Sequence, residues 1–362
     1  MTKREEEVLE LISENPMISQ KECADKLGIS RSAIAGHIMN LTDKGYISGK
    51  GYILKEEPYV LVIGGSNMDI SGTPKGSFIQ KDSNPGKVSL SPGGVGRNIA
   101  ENLARMGSTV KLLTVLGEDL YGRQLLETCR YAGIDMNHVK ISGKKGTSVY
   151  LSILNEMGDM ISAISDMSLM EELDREYLEK NHRTISAASL VIIDANLSET
   201  VIEFIVTKYG DKKIFVDTVS TAKAQKIIPF IGKFHTAKPN KLEAEILSGI
   251  KINSEKSIKI ASGILIDKGL NRVFLSMGEK GIYYRDRKNS LHYQGEQIKA
   301  VNTTGAGDAY TAALAHSFMK NFTPEKTLAF AAAASKMAIR CSDTINRDIT
   351  SEKIEEMIKG EI

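Results

Sequence analysis

Two hydrophobic patterns divide this chain. Near the N-terminus apolar side chains recur at helical spacing. Val8, Leu11 and Ile12 share one face of a segment over 6–13, and Asn15-Pro16 ends it. Ser19, with Glu22 three residues later, has the form of a capping box and opens a second helix through Leu27. Gly28-Ile29-Ser30 reads as a tight turn. Ser30 caps a third helix with Ile34, Ile38 and Leu41 on one face, and Gly45 ends it. Residues 46–54 read as two short strands around a glycine turn, and Glu56-Glu57-Pro58 as a linker. The pattern then changes. Tyr59 to Ile63 is an unbroken apolar run ending in Gly64-Gly65, and similar runs lie at 110–115, 190–193, 214–216 and 273–275. Such runs suit strands covered on both faces. Helical patterns at 98–106, 120–132, 199–208 and 255–268 separate them. The alternation predicts an α/β fold around a mostly parallel sheet. Two stretches interrupt it: 71–90, rich in Gly, Pro, Ser and Lys, and 147–164, with strand-like runs around a Glu156-Met157-Gly158-Asp159 turn. The expected division is 1–57 and 58–362, with the interrupting segments at about 71–92 and 147–166.

Composition narrows the class only a little. With 362 residues, 41% hydrophobic and 25% charged, the chain is of ordinary globular make-up. The net charge of +2 gives no overall attraction to nucleic acid or membrane. Cys23, Cys129 and Cys341 are scattered without metal-ligand spacing or a disulfide framework. The charged start MTKREEEVLE lacks the apolar core of a signal peptide, and no apolar run reaches membrane-spanning length. A soluble cytoplasmic protein is expected.

The first segment has the element order of a winged helix-turn-helix and resembles bacterial winged-helix regulators. Ser30, Arg31, Ser32 and His37 would face a DNA groove, with Lys50 in the wing. Residues 1–57 hold 8 basic against 10 acidic side chains, but 31–55 hold 4 against 1. That asymmetry gives a modest basic face for phosphates. A module that only packs on a partner subunit is the other reading.

Candidate chemistry concentrates at Gly305-Ala306-Gly307-Asp308, where two glycines and a carboxylate open an Ala-rich helical pattern. Exposed N–H groups at a helix start attract anions. Glycine lets backbone approach a phosphate closely. An aspartate there can take the proton of an attacking hydroxyl, so the segment describes phosphoryl transfer to an alcohol. An ordinary tight loop with a helix-capping aspartate is the plain alternative. Two distant motifs favour the chemistry: Pro92-Gly93-Gly94-Val95-Gly96-Arg97-Asn98, opening another helix, and Asn240-Lys241-Leu242-Glu243, after a strand-like run.

In this order the three motifs resemble the PfkB/ribokinase family of small-molecule kinases, from about Tyr59 to the C-terminus. The resemblance implies a ribokinase-like three-layer α/β/α sandwich with a small β lid over the sugar site, the lid often forming a dimer interface. It implies Asp308 as catalytic base, with Gly305, Ala306 and Gly307 supplying N–H groups to the transferring phosphoryl. Asp69, Gly93, Gly94 and Asn98 would bind the sugar. Asn240, Ser276, Gly278 and Thr303 would lie at ATP, and Asn240 and Glu243 would reach Mg²⁺ through water. Lys238 could meet a phosphate or be solvated. No Walker A motif is present. Many family members carry an acid where Asn302 stands, and losing that charge weighs against activation by a monovalent cation.

A narrower resemblance, to bacterial pseudouridine kinases, rests on Asp82-Ser83-Asn84-Pro85-Gly86-Lys87, on 92–100, on Lys238-Pro239-Asn240-Lys241-Leu242-Glu243-Ala244-Glu245, on Ser165-Asp166-Met167 and on Asn302. It implies phosphorylation of a nucleoside 5′-hydroxyl. Ser83, Asn84 and Asp166 then become candidates to read the base, or turn residues. A ribokinase- or fructokinase-like sugar kinase, and a transcription regulator that senses ligand through a kinase fold, are the other expectations.

Overall fold

The computed structural model describes residues 1–47, 57–294, 304–341 and 343–360. The chain forms two compact units, Met1–Glu57 and Pro58–Ile362. In the first, α1 (Lys3–Glu14), α2 (Gln20–Leu27) and α3 (Arg31–Asp43) close around Val8, Ile12, Cys23, Ile34 and Leu41. Ser19 and Glu22 form their capping box, and Ser30 Oγ accepts the Ala33 N–H at 3.1 Å. Gly28 ends α2 in the left-handed region. Lys44 crosses from the end of α3 to the buried Glu5 at 2.7 Å, tying the first and third helices. Arg31 and Ser32 are exposed and His37 is half-buried. Lys50 and most of the expected hairpin lie outside the described residues.

The second unit begins β1 (Val60–Ile63), β2 (Asn67–Pro74), β3 (Gly86–Gly93), α4 (Val95–Arg105), β4 (Val110–Leu113), β5 (Val115–Gly117), α5 (Leu120–Tyr131), β6 (Lys140–Ser142), β7 (Val149–Leu154) and β8 (Met160–Asp166). It continues α6 (Arg175–Lys180), α7 (His182–Ala187), β9 (Leu190–Asp194), α8 (Glu199–Lys208), β10 (Ile214–Asp217), α9 (Thr221–Ala224), β11 (Thr236–Ala237), α10 (Lys241–Ser248), α11 (Glu255–Asp267) and β12 (Arg272–Ser276). It ends with β13 (Ile282–Asp286), β14 (Ser290–Tyr293), α12 (Ala306–Met319), α13 (Pro324–Ile339) and α14 (Ser351–Gly360).

The main sheet has the order β14-β13-β12-β11-β10-β9-β1-β4, parallel from β12 to β4 and antiparallel at β13 and β14. Strand side chains alternate in direction, so each apolar run feeds two cores. Leu61, Ile63, Val191, Ile193, Ile214 and Val216 pack with α8, α10 and α11. Val60, Val62, Leu190, Ile192 and Phe215 pack with α4, α12 and α13. The run at 110–115 is two elements rather than one strand. The chain leaves the sheet at Thr114, and β5 pairs with β6 instead. Hydrophobicity cannot separate them, because both halves are buried.

The lid is a separate four-stranded sheet, β3-β2-β7-β8. Its register places Asp69 opposite Ser91 and Tyr150, and Tyr150 opposite Ser165. This polar row shares one face. The next row, Ile70, Leu90, Leu151 and Ile164, shares the other. On that apolar face Val88 and Ile164 are 65% and 66% exposed. Parallel β1, β9, β10, β11 and β12 end along one edge of the main sheet. Side chains at those ends build the cleft.

Candidate active site

A buried carboxylate organises the cleft. Asp194, at the end of β9, is 0% exposed. Its Oδ2 accepts the N–H of Gly65, after β1, and of Gly96, in the first turn of α4, both at 2.8 Å. Its Oδ1 accepts the Asn196 N–H at 2.8 Å. Burial pushes its proton affinity up, and these donors oppose the shift. The two glycine turns consequently lie in contact. Gly94 has φ +99°, and a Cβ there would come within 2.5 Å of Gly65 O. Only glycine fits both the dihedral and the approach.

Two helices open at the cleft with a glycine cap, α4 at Gly94 and α12 at Gly305, whereas α5, α8, α10, α11 and α13 are capped by side chains of Asp119, Ser198, Asn240, Ser254 and Thr323. At α4 the first N–H groups are taken by Asp194 and Gly65 O. At α12 the N–H groups of Ala306, Gly307 and Asp308 precede the first helical bond, from Ala309 to Gly305 O at 2.9 Å, and the cap residue Gly305 has no side chain to cover them. Gly305 has φ +81°, and its Cα lies so close to the 344 backbone that a Cβ would sit 2.1 Å from Thr344 O.

Asp308 is the third residue of α12. Its Oδ2 accepts from Asn98 Nδ2 at 2.8 Å, joining α12 to α4. Burial first, and then the negative charge of Asp217, push its carboxyl up to about 8; Asn98 and Lys238 oppose the rise. Asp217, at the end of β10, accepts Thr311 Oγ1 at 2.7 Å and has Lys238 Nζ at 3.7 Å. Lys238 is buried, and a Cβ on Gly307 would lie 3.0 Å from its Nζ. One ammonium therefore stands between two carboxylates and an open helix start. Such a place suits a polyanion.

Across the cleft, Asp69 sits over Gly93, whose Cβ, if present, would be 2.3 Å from Asp69 Oδ2. Asn67 Nδ2 donates to Asp69 Oδ1 at 2.5 Å. Asn98 Oδ1 accepts Arg97 Nη1 at 2.7 Å and Nδ2 donates to Asp308, so one N–H and one oxygen lone pair of the amide remain to meet a ligand, half of what a free asparagine offers. Asn84 is drawn into its own loop, accepting the Ile79 N–H at 2.7 Å and donating to Ile79 O at 2.8 Å. Ser83 is exposed. Asp166 caps the following turn, accepting Ser168 N–H at 3.1 Å and Oγ at 2.8 Å.

Asn240 and Glu243 form a capping box at the start of α10. The buried Glu243 also accepts from Thr218 Oγ1 at 2.5 Å. Among the described residues no cluster of three His, Cys, Asp or Glu side chains could enclose a metal. This donor set fits a Mg²⁺ that keeps most of its waters and leans on phosphate oxygens. Ser276 ends β12 half-buried, and Gly278 is exposed with φ +60°. Asn302 and Thr303 lie outside the described residues. Asp194, Asp217 and Asn196 escaped the sequence reading. Each follows a strand and carries no motif. Asn196 accepts from Lys223 Nζ and turns its nitrogen toward Gly65.

Relatives agree with this architecture. Residues 1–48 match the winged helix-turn-helix DNA-binding family model. The uncharacterized sugar kinase YeiI of Escherichia coli is 38% identical over 359 residues, covering 97% of both chains. The pseudouridine kinase of Escherichia coli is 36% identical over 308 residues, covering 85% of this chain and 98% of that one. Arabidopsis thaliana ribokinase, complexed with ribose and ATP, superposes with a TM-score of 0.74 over 84% of this chain and 99% of its own, at 20% identity, a likeness of fold. Among the described residues no helix is long and apolar enough to cross a membrane. Residues 57–351 match the model of pfkB family carbohydrate kinases, and with these relatives the chain belongs to that family of phosphotransferases acting on an alcohol.

Proposed function

We propose that this chain is an ATP-dependent nucleoside kinase, that its substrate is pseudouridine and its product pseudouridine 5′-phosphate, and that its N-terminal unit binds DNA. The observation that carries the reading is Asp308, held by Asn98 2.8 Å away at the glycine-capped start of α12. ATP would supply the phosphoryl group, and Asn240 and Glu243 would hold Mg²⁺ through water, which would offset charge on the phosphates. Asp308 accepts the proton of the 5′-hydroxyl as that oxygen bonds to phosphorus and the bond to the ADP oxygen breaks. The N–H groups of Ala306, Gly307 and Asp308, with Lys238, meet the charge on the migrating group, a role worth a few kcal/mol per donor. Asp69, with the polar lid row of Ser91, Tyr150 and Ser165, faces the nucleoside. Ser276 and Gly278 border the nucleotide.

The nucleoside reading is supported by the relative named a pseudouridine kinase. A free-sugar kinase is the second reading, supported by the relative named a sugar kinase, which also spans the N-terminal unit. The apolar lid face around Val88, Leu90 and Ile164 would be covered by a second copy of the chain, as a homodimer. Arg31, exposed at the first turn of α3, would meet DNA phosphate.

The test is Asp308→Asn. It should lower kcat by about 10²–10⁴-fold, the usual worth of a positioned base, while the Kd for pseudouridine, measured by calorimetry, stays within a few-fold. Turnover near the wild-type rate would remove Asp308 from the chemistry.

A further inference from the structure

Among the described residues Arg97 is the largest fully buried side chain, 2% exposed, on the helix that faces the cleft. Three acceptors hold its guanidinium. Nη1 donates to Pro92 O at 2.7 Å and to Asn98 Oδ1 at 2.7 Å, and Nη2 donates to Glu101. Glu101 is held in turn by Arg105, whose Nε and Nη2 donate to its Oε1 at 2.9 and 2.6 Å. Arg105 Nη1 reaches Arg347 O at 3.0 Å. A relay of fixed charges thus runs along α4 from the rim of the unit to the cleft.

We propose that Arg97 is a positioning residue for the phosphoryl transfer: it locks the Asn98 amide with its oxygen inward and its nitrogen toward Asp308, and so keeps the Asp308 carboxylate a proton acceptor. A guanidinium can only donate. The Asn98 atom that meets it must therefore be the oxygen, and the NH₂ group must turn to Asp308. An N–H facing a carboxylate favours its charged form. With the amide reversed, a carbonyl oxygen would face Asp308, and the pair could close only with a proton kept on the carboxyl. That state cannot take a proton from a substrate hydroxyl. The groups around Asp308 are Asp217 from β10, Asp194 from β9, Lys238 beyond β11, and Asn98 with Arg97 from α4; Cys129, from α5, and Asp69, from β2, face Arg97. Of these, Arg97 sets the direction of the one direct hydrogen bond to the carboxylate described here.

The proposal rests on Asp308 as base, and the experiment separates the two. It measures kcat/KM for pseudouridine against pH in full-length wild type, Arg97→Gln, Arg97→Lys, Asn98→Ala and the double variant Arg97→Gln/Asn98→Ala, with Asp308→Asn alongside. Arg97→Gln should move the acid limb up by about one pH unit, on the order of tenfold in activity at the limb, with most activity recovered at high pH and the fold intact by thermal melting, since Glu101 keeps Arg105. Asn98→Ala should move it in the same direction, and adding Arg97→Gln to Asn98→Ala should move it by less than Arg97→Gln does alone, the remainder being the lost Arg97 charge near Asp308. Arg97→Lys keeps a donor for Oδ1 and should restore most of the profile. An unmoved limb in Arg97→Gln, or shifts that add in the double variant, would overturn the proposal. Should Arg97→Gln not fold, Asn98→Asp carries the test, because it keeps the partner of Arg97 but turns an oxygen and a negative charge to Asp308, both of which raise the limb; an unmoved limb there overturns it. Should Asp308→Asn retain turnover, the base assignment itself fails, whatever Arg97 does.

Discussion

The carboxylate of Asp194 accepts the N–H of Gly96 at 2.8 Å, and the same oxygen accepts that of Gly65 at 2.8 Å. One buried side chain thereby fixes both glycine turns that frame the cleft. Asp194→Asn replaces an acceptor by a group that must present an N–H to one of these donors. Hydrogen bonds to a charged group contribute about 1.5–3 kcal/mol each, so the variant should lose about 2–4 kcal/mol by urea unfolding. A loss below about 0.5 kcal/mol, the level of a neutral surface change, would show that the turns hold without it.

Asp217 sets the charge around Asp308. The Asp308 carboxyl is pushed up to about 8 by burial and by Asp217, and as the proposed base it must lose its proton before it can accept another. Activity in kcat/KM should therefore rise with pH and level off above that value. Asp217→Asn removes a negative neighbour, makes the Asp308 charge easier to form, and should move the acid limb to lower pH by about one unit. A limb that moves upward would show that release of Lys238 and Thr311, not charge, dominates at Asp217.

Much of this organisation was legible because it is local. The unbroken run at Val60, Leu61, Val62 and Ile63 could only be a strand covered on both sides, and the Ser19 and Glu22 pair wrote its own helix start. The glycines at 305 and 307 beside Asp308 announced an open helix terminus. What the sequence concealed depends on distant pairing. Asp194 and Asp217 are single carboxylates at strand ends, and their importance appears only when Gly65, Gly96 and Thr311 fold against them. Asn84 and Asp166 are polar lid residues by sequence, but the short-range N–H donors of Ile79 and Ser168 engage them. Tyr150, Ser91 and Ser165 escaped notice because only the lid register sets them in a row with Asp69. Likewise, nothing in an apolar run says that the chain changes sheets at Thr114.

Arg31 opens α3 in the open, ahead of the buried stripe of Ile34, Ile38 and Leu41. For a helix that meets DNA through phosphate, Arg31→Ala should weaken binding of the full chain evenly across sequences and reduce the slope of log K against log salt by about 1. Fluorescence anisotropy on duplexes from the upstream region of its own gene, over a salt series, measures both. Identical binding curves for wild type and variant would exclude the helix as the contact.

Val88 and Ile164 place two large apolar side chains in solvent on the lid face opposite Asp69. If a second copy covers that face, Val88→Lys together with Ile164→Lys should shift sedimentation from dimer to monomer without changing the fold. A wild-type chain that sediments as a monomer at micromolar concentration would rule the interface out.

The account stands on direct transfer of a phosphoryl group from ATP to a nucleoside hydroxyl, with Asp308 as the proposed proton acceptor. Its most direct measurement is ADP release by the full-length protein with Mg²⁺ and pseudouridine, uridine, ribose or fructose, each compared by kcat/KM, with the phosphorylated position read by ³¹P and ¹H NMR. The account predicts that pseudouridine is preferred over every other acceptor by at least about tenfold, a difference of about 1.4 kcal/mol, and is phosphorylated at the 5′-oxygen. A free sugar turned over faster than pseudouridine would contradict it.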